Sequence, residues 1–461
     1  MSGVLGIYSY KNIVKELYYG IFSMQHRGQE SCGIAILEDE RINYRKDKGL
    51  VGDVFKESVL NKYCGKIGIA HVRSSSVGSN HISNTQPYVG RYRGRELAVV
   101  NDGSLVNSGE LRKRMEEEGY MFQTNSDAEL VLYMIARLHR GSIVGALKQI
   151  MGLIKGSYAM AIISDSQLLA VRDLHGIRPL MIGRKGEEFI VASENSAIET
   201  IGGKVIRDVK PGEIVRIKDG KMESFMYSDQ IPNKQSCIFE HVYISRNDAT
   251  IDGVNAYEFR TKCGAYLARN EKINADCVVP VPDSGWAGAI GYANESGLNV
   301  VEGLVKNRYV GRTFIKPTQE ERELAVKMKL NPLAVALRGK SIILVDDSIV
   351  RGTTSRQLVK ALREAGVKEV HLRITSPPVK YPCFYGIDTP NRKNLIASDH
   401  SVEEMRKHIG CDTLKFISIE GMSEAADNKI DNFCLACFNG NYPVEECEDC
   451  GDIEESKYVI L

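Results

Sequence analysis

The residues with the clearest chemistry lie between Val345 and Thr354, in the order Val-Asp-Asp-Ser-Ile-Val-Arg-Gly-Thr-Thr. An apolar run, Ile342 to Val345, predicts a buried strand that delivers Asp346 and Asp347 to the carboxyl end of a parallel sheet, where such sheets bind ligands. Adjacent carboxylates are costly there unless a ligand satisfies them, and a ribose diol with Mg²⁺ would supply donors and positive charge. The polar groups that follow at a helix start suit a phosphate. They belong to Ser348, Arg351, Gly352, Thr353 and Thr354.

An acid pair followed by a phosphate site predicts a site for phosphoribose. The alternative is a solvated Asp-Asp turn before a Ser/Thr helix cap. The stretch resembles the signature of type I phosphoribosyltransferases for phosphoribosyl pyrophosphate (PRPP). The resemblance implies that Asp346 and Asp347 contact the ribose and Mg²⁺ while the following loop binds the 5′-phosphate. Val281-Pro282-Asp283-Ser284-Gly285 resembles the family's pyrophosphate loop, in which Ser284 approaches the Mg²⁺ and the diphosphate.

A polar, basic and weakly periodic segment extends from Lys306 to Arg338. Such a segment is more typical of a mobile flap than of a core element. Its cations, Lys306 and Arg312 among them, could close over a departing diphosphate and exclude water from a carbocation-like centre. The alternative is an ordinary solvated basic loop.

The surrounding patterns predict two domains, since 461 residues exceed one ordinary core. Residues 2–228 mix helix and strand patterns without regular alternation, whereas residues 229–461 repeat strand, turn and helix, which favours a parallel sheet covered by helices. Helical spacing appears from Ile13 to Phe22 and after Ser126. Strand-like runs include Ala159 to Ile163, Phe189 to Ala192, and Glu213 to Ile217.

Composition excludes some classes of function. The 60 Lys and Arg residues nearly balance 59 Asp and Glu residues, so the formal charge of +1 gives no reason to expect a nucleic-acid partner. No window approaches the roughly 18 apolar residues of a membrane span. We therefore expect a cytoplasmic protein that acts on small molecules.

Motifs in both halves resemble one family, the amidophosphoribosyltransferases, or glutamine PRPP amidotransferases. Met24–Glu30, His71–Arg73 and Ser126–Glu129 resemble the glutaminase half, an N-terminal-nucleophile (αββα) fold, while Lys306–Phe314 and Val345–Ser355 resemble the type I phosphoribosyltransferase half, an α/β domain. The resemblance implies synthesis of 5-phosphoribosylamine, glutamate and diphosphate from PRPP, glutamine and water, the first step of de novo purine biosynthesis. It also implies a homo-oligomer, a tetramer in the family, and purine nucleotides as inhibitors.

The resemblance assigns glutamine-binding roles to two residues. Arg73 would pair with the α-carboxylate of glutamine and Asp127 with its α-amino group, which is sensible charge chemistry. Without the resemblance, the two would be an ordinary strand arginine and a helix-capping aspartate.

The glutaminase nucleophile departs from the family. The family begins Met-Cys-Gly and uses the exposed cysteine, whereas this chain has Ser2, whose hydroxyl is far less ionised near neutral pH. At the oxyanion site the family has Asn-Gly, and this chain has Asp102-Gly103, preceded by Asn101. A carboxylate would repel the oxyanion, and losing one donor costs about 100- to 1,000-fold in rate. We expect an impaired or lost glutaminase that leaves synthesis dependent on free ammonia, unless Asn101 supplies the donor. Replacing Ser2 by cysteine and Asp102 by asparagine should restore glutamine use.

Four cysteines of the second half stand in contexts that resemble those of the iron–sulfur subgroup. The resemblance implies a 4Fe–4S cluster, with zinc or buried free thiols as the alternatives. A second CxxC pair, Cys447 and Cys450, is expected in an acidic, unanchored tail, with a zinc site or a labile disulfide as the alternatives. The implied cluster ligands are Cys237, Cys383, Cys434 and Cys437.

Two other functions compete with this interpretation. A purine-salvage phosphoribosyltransferase would share the PRPP motif but use a base as nucleophile, and the glutaminase-like half argues against it. A catalytically inactive sensor of PRPP or glutamine is favoured by Ser2 and Asp102. It would bind PRPP without releasing diphosphate.

Overall fold

The computed structural model describes residues 2–74, 81–307, 330–389 and 391–444. Three residues singled out in the sequence, Arg312, Cys447 and Cys450, lie outside this part of the chain, as does most of the predicted basic flap. Within the described ranges, no helix is long and apolar enough to cross a membrane.

Two antiparallel sheets form the first half. The first has the order β11-β9-β10-β1-β4-β2-β3 and the second the order β13-β12-β8-β7-β6-β5. The strands are β1 (Ser2–Tyr8), β2 (Ser31–Glu38), β3 (Arg41–Lys48), β4 (Ile67–Arg73), β5 (Tyr88–Tyr92), β6 (Arg95–Leu105), β7 (Gly156–Ser164), β8 (Gln167–Arg172), β9 (Met181–Lys185), β10 (Glu188–Ala192), β11 (Lys204–Asp208), β12 (Glu213–Lys218) and β13 (Lys221–Met226).

Alternation along the strands explains how these sheets pack. In β6, Ala98 and Val100 face the other sheet, whereas Leu97 and Val99 face outward onto helices. Because both faces are buried, the strands are apolar on both sides and the layers follow the αββα order. The helices are Val14–Ser23 and Asn195–Thr200 on the first sheet, and Ser108–Glu117, Asp127–Leu138 and Ile143–Met151 on the second.

The second half contains a parallel four-stranded sheet, as the strand, turn and helix order predicted. Its strands, in spatial order, are Cys277–Pro280, Ser341–Asp346, Glu369–Ile374 and Thr413–Phe416. Helices Ala256–Arg269, Gly285–Ser296 and Ile419–Ala425 pack on one face, and helices Thr353–Glu364 and Val402–Ile409 on the other. Successive side chains along each strand face opposite helix layers, so both faces of the sheet are apolar.

Short elements connect these layers. A parallel pair, Ser236–Cys237 with Phe433–Cys434, joins the start of the second half to its end. Residues of both halves share the core around this pair, including Val106 and Ile177 with Phe239 and Phe438. Other short elements are Gln25–Arg27, Val51–Val54, Glu57–Leu60, Ile82–Asn84, Glu240–Ile244, Thr250–Ile251, Val254–Asn255, Leu304–Lys306, Leu330–Pro332, Ala334–Leu337, Arg392–Asn394, Ile396–Asp399, Ile430–Asn432 and Ala436–Asn439.

Candidate functional site

A polar cavity opens at the end of the two-sheet sandwich. The empty space within it, part of which is open to solvent, is about 610 Å³. Four of the residues singled out in the sequence line it together: Ser2, Arg73, Gly103 and Asp127. The remaining lining residues are Ser74, Asn84, Gln86, Asn101, Ser104, Leu105, Ser108, Asn125 and Ser126.

The secondary structure places each of these four residues. Ser2 begins β1 and is the cross-strand partner of Arg73 at the end of β4. Asp127 begins the helix Asp127–Leu138 and accepts a hydrogen bond of 2.9 Å from the backbone N–H of Leu105, just beyond Gly103 on β6. The cavity therefore places a hydroxyl, a guanidinium and a carboxylate around one space.

Asp102 does not face this cavity, which corrects the expectation that its carboxylate would oppose an oxyanion. Asp102 continues the row of Ala98 and Val100 on the face between the sheets, because side chains alternate along β6. Its Oδ2 atom accepts hydrogen bonds from Nε and a terminal N–H of Arg178, at 3.0 and 2.7 Å. The neighbouring Asn101, rather than Asp102, lines the cavity.

The backbone of Asn101 is held from both sides by one glutamine. The side chain of Gln86 accepts from the Asn101 N–H at 2.6 Å and donates to the Asn101 carbonyl at 3.1 Å. Oδ1 of Asn101 has no hydrogen-bond partner among the described residues, although it is buried. An amide fixed at the cavity wall with unused hydrogen-bonding capacity can contact a bound ligand.

A buried cluster of charged residues lies behind Ser2 and was not predicted from the sequence. Burial lowers the pKa of Arg27, but the carboxylates of Glu240 and Glu194 outweigh this effect and raise the pKa above its usual range. Burial alone would raise the pKa of Glu240, but its two arginine neighbours lower that pKa to about 2. Arg27 and Glu240 therefore favour their ionised forms, and the charged side chains of the cluster pair with one another. The members are Arg27, Asp102, Arg178, Glu194 and Glu240.

The acid pair lies at the carboxyl edge of the parallel sheet. Asp346 ends the strand Ser341–Asp346, and its Oδ1 accepts the N–H of Asp347 at 2.9 Å. Ser284 directly precedes the helix Gly285–Ser296, which packs so closely that a Cβ at Gly285 would lie 2.4 Å from the Val345 carbonyl oxygen. Only glycine permits this approach, and it brings Ser284 to the sheet edge that carries the acid pair.

The next loop supplies the groups expected for a phosphate. Gly352 has φ of +73° and precedes the helix Thr353–Glu364, so its left-handed backbone turns the chain into the helix. Arg351, Thr353 and Thr354 are exposed there. The hydroxyl of Ser348 instead donates to Asp347 at 2.5 Å. A turn with free hydroxyls at a helix N-terminus can bind an anion.

The electrostatics of the acid pair favour a cation. Burial, and secondly the charge of Asp347, raises the pKa of Asp346 well above its usual value. Two carboxylates this close resist ionising together unless a positive group joins them. Lys306, at the start of the basic segment, forms an ion pair with Asp283 of the pyrophosphate-type loop.

The four cysteines singled out in the sequence line one apolar cavity. Burial is the largest effect on the pKa of each of these thiols and raises all four. It raises the pKa of Cys237 to about 12. Without a metal the thiols are therefore neutral. The lining residues are Ile177, Cys237, Phe239, Val379, Cys383, Tyr385, Ile387, Thr389, Cys434, Ala436, Cys437 and Tyr442. In the described ranges, no three His, Cys, Asp or Glu residues are grouped to hold a single metal ion.

The loop after Cys383 touches the strand that lines the first cavity. The hydroxyl of Ser157 on β7 donates to the Tyr385 carbonyl at 2.8 Å. A Cβ at Gly386 would lie 3.2 Å from Cα of Gly103. The loop that lines the cysteine cavity therefore contacts strand β6, which lines the Ser2 cavity.

Comparison with known proteins finds similarity over one segment of the chain and over nearly its full length. A family described as a glutamine amidotransferase domain matches residues 71–200. The amidophosphoribosyltransferase of Methanocaldococcus jannaschii is 44% identical over 463 residues, covering 96% of this chain and 98% of that protein. The amidophosphoribosyltransferase of Bacillus subtilis is 44% identical over 452 residues, covering 97% and 95%.

Solved structures agree with these relatives. Glutamine PRPP amidotransferase from B. subtilis, complexed with ADP and GMP, matches with a TM-score of 0.91 and 43% identity, covering 97% of this chain and 98% of that one. A structure described as the allosteric regulatory enzyme of purine biosynthesis matches with a TM-score of 0.92 and 43% identity, covering 97% of each chain. The chain belongs to the amidophosphoribosyltransferase family.

Proposed function

We propose that the chain transfers the phosphoribosyl group of PRPP to ammonia and forms 5-phosphoribosylamine and diphosphate. The observation that carries this proposal is the convergence of Asp346, Asp347 and Ser284 at one edge of the parallel sheet, beside the exposed hydroxyls of Thr353 and Thr354. A ligand with a diol and two phosphate ends matches these groups.

Different residues contribute to different parts of the reaction. Asp346, Asp347 and Ser284 would hold Mg²⁺, which when bound offsets the charge of the diphosphate. The Ser348–Thr354 loop binds the 5′-phosphate, and Lys306 and Arg312 attract the departing diphosphate. The bond from the anomeric carbon to diphosphate breaks, and the nitrogen lone pair of ammonia forms the new C–N bond. The ammonium so formed loses a proton to solvent.

Ammonia would come from glutamine in the first cavity. Once Met1 is removed, the α-amino group of Ser2 can act as base for its own hydroxyl, which attacks the glutamine amide. Arg73 and Asp127 bind the α-carboxylate and the α-amino group. The Gly103 N–H, with an N–H of the Asn101 side chain, would donate to the oxyanion and stabilise it. The amide C–N bond then breaks, and ammonia leaves with the proton that the α-amino group took from the hydroxyl. Water hydrolyses the remaining acyl ester, which releases glutamate and restores the Ser2 hydroxyl.

The four cysteines fit a 4Fe–4S cluster better than a single ion. Each thiolate of such a cluster binds a different iron, so the thiols need a common cavity rather than one shared metal atom. Four thiols that lose their protons and stay buried in this apolar cavity as thiolates would need the positive charge that a cluster would provide. A cytoplasmic location, where thiols stay reduced, suits this site.

Regulation and assembly follow from the relatives as further parts of the proposal. The related B. subtilis enzyme was solved with ADP and GMP, so purine nucleotides are proposed as inhibitors of this chain too. A homo-oligomer, a tetramer as in the family, is proposed as the assembly.

The test is PRPP-dependent release of diphosphate, measured separately with glutamine and with an ammonium salt. The proposal expects release with ammonium in the presence of Mg²⁺, and slower release with glutamine because Ser2 replaces cysteine. Release with ammonium alone would show that the glutaminase half is inactive. PRPP binding without release under either condition would favour the sensor, and release with a purine base would favour a salvage enzyme.

A further inference from the structure

Arg27 joins the Ser2 backbone to the buried charge cluster, and every one of its N–H groups has an acceptor. Nε donates to the Ser2 carbonyl at 2.8 Å. One terminal nitrogen donates to Glu194 at 2.6 Å and to Glu240 at 2.8 Å. The other donates to Glu240 at 2.7 Å and to Asp102 at 3.4 Å. A guanidinium has five donors in a fixed plane, so these acceptors fix its orientation completely.

Glu240 is the acceptor that sets the plane of this guanidinium. Its two oxygens bind the two terminal nitrogens of Arg27 in a bidentate pair, the geometry with the strongest directional preference. The other two terminal N–H groups bind Glu194 and Asp102, and the Nε–H points at the Ser2 carbonyl. The Glu240 carboxylate therefore fixes the orientation of Arg27, and Arg27 in turn fixes the position of the Ser2 carbonyl.

Glu240 itself is held by the second half of the chain. The Ser245 hydroxyl donates to its Oε2 at 2.9 Å. The segment from Glu240 to Ser245 is fixed in turn by Arg260 of the helix Ala256–Arg269, which donates to the carbonyls of His241 and Ser245 at 2.7 and 2.8 Å. The carboxylate is therefore preorganised from the phosphoribosyltransferase side before any ligand binds.

We propose that Glu240 is a positioning residue for glutamine hydrolysis: through Arg27 it orients Ser2, so that the hydroxyl and the α-amino group of Ser2 face the glutamine amide. This inference rests on the proposed role of Ser2 as the nucleophile. Glu240 touches neither substrate, and its contribution appears in the rate of attack rather than in glutamine affinity. The second half of the chain thus supplies part of the machinery of the first.

The test is Glu240→Gln, which keeps the shape and removes the charge. Arg27 retains Glu194 and Asp102, so the buried cluster changes from three carboxylates against two guanidiniums to an equal number of each. The matched control is Glu213→Gln. Glu213 is also buried, also binds an arginine, Arg207, in a bidentate pair at 2.7 Å and 2.7 Å, and also accepts from a serine hydroxyl.

Glutamate release is measured with PRPP and Mg²⁺ in the natural chain and in an S2C background, beside diphosphate release with ammonium. We expect E240Q to lower kcat for glutamine about 10- to 100-fold, the effect of a displaced reactive group, with KM within about twofold. E213Q should match its parent. Ammonium-dependent release should be unchanged, and the two variants should melt within about 5 °C of each other.

Three results would overturn the inference. Equal glutamine kinetics in E240Q and E213Q would show that Glu240 has no special role. A parallel loss of the ammonium reaction in E240Q would indicate general damage to the fold. Absence of glutamate release in both the natural chain and S2C would remove Ser2 as the nucleophile site, and with it this inference, while the ammonium reaction still tests phosphoribosyl transfer separately.

Discussion

Replacing Asp102 by asparagine distinguishes a buried ionic anchor from a defective oxyanion site. All three hydrogen bonds that the described residues make to the Asp102 carboxylate converge on Oδ2, two from Arg178 at 3.0 and 2.7 Å and one from Arg27 at 3.4 Å. An asparagine keeps one acceptor oxygen in this place but removes the negative charge. Asparagine, the residue that the family has at this position, would therefore weaken the cluster instead of restoring glutaminase activity.

The expected cost follows from what remains around Arg178. Breaking a buried ion pair costs about 3–5 kcal/mol when one partner is left uncompensated. Arg178 keeps Glu240, which lies 3.0 Å away, so the low end of about 3 kcal/mol applies. At about 2–4 °C for each kcal/mol in a large domain, the melting temperature should fall by about 6–12 °C.

The assay pairs thermal unfolding with glutamate release for D102N, S2C and the double variant. We expect S2C to raise glutamine hydrolysis at least about tenfold, because a thiol is far more ionised than a hydroxyl. D102N should add nothing to this rate while lowering the melting temperature. If D102N instead leaves the melting temperature within about 2 °C and raises glutamine hydrolysis, Asp102 faces the oxyanion and the reasoning is refuted.

Three further predictions concern the walls of the sites. Gly103→Ala should lower glutamine hydrolysis at least about tenfold and spare the ammonium reaction, because φ is +127° and a Cβ would lie 2.2 Å from the Ser157 carbonyl oxygen; an unchanged rate would contradict this. Burial, and then the charge of Asp347, raises the pKa of Asp346, so its ionised form destabilises the ligand-free fold above the unfolded pKa of about 4. Asp346→Asn should therefore raise the melting temperature at pH 8 by about 2–6 °C, show no gain near pH 4, and abolish diphosphate release; a lower melting temperature at pH 8 would be the opposite of the expected sign. Cys383→Ser should lower the iron content and visible absorbance and reduce glutamine use more than ammonium use, because its loop contacts Gly103; full iron occupancy would remove this cysteine from the cluster.

Local patterns predicted the elements that position the sites. The spacing from Ile13 to Phe22 corresponds to the helix Val14–Ser23, and the pattern after Ser126 to the helix Asp127–Leu138. The apolar run before Asp346 forms a strand of a parallel sheet, as predicted. These features depend on periodicity within one element, which a sequence displays directly. The division of the chain near residue 229 stays a prediction.

Contacts between residues far apart in the sequence were harder to predict. Arg27 contacts both Asp102 and Glu240, and nothing in their spacing along the chain indicates that they are neighbours. One signal was present for Asp102, since it continues the alternation of Ala98 and Val100 toward the other sheet. The cysteine cavity was reached through a family resemblance, because three of its walls come from separate parts of the chain.

The central claim is that the edge of the parallel sheet binds PRPP with Mg²⁺. Isothermal titration of the folded protein with PRPP measures this most directly. The account predicts saturable heat with Mg²⁺ present and a large loss of affinity when Mg²⁺ is removed, because the acid pair then repels the ligand. No heat from a protein shown to be folded, in the presence of Mg²⁺, would contradict it.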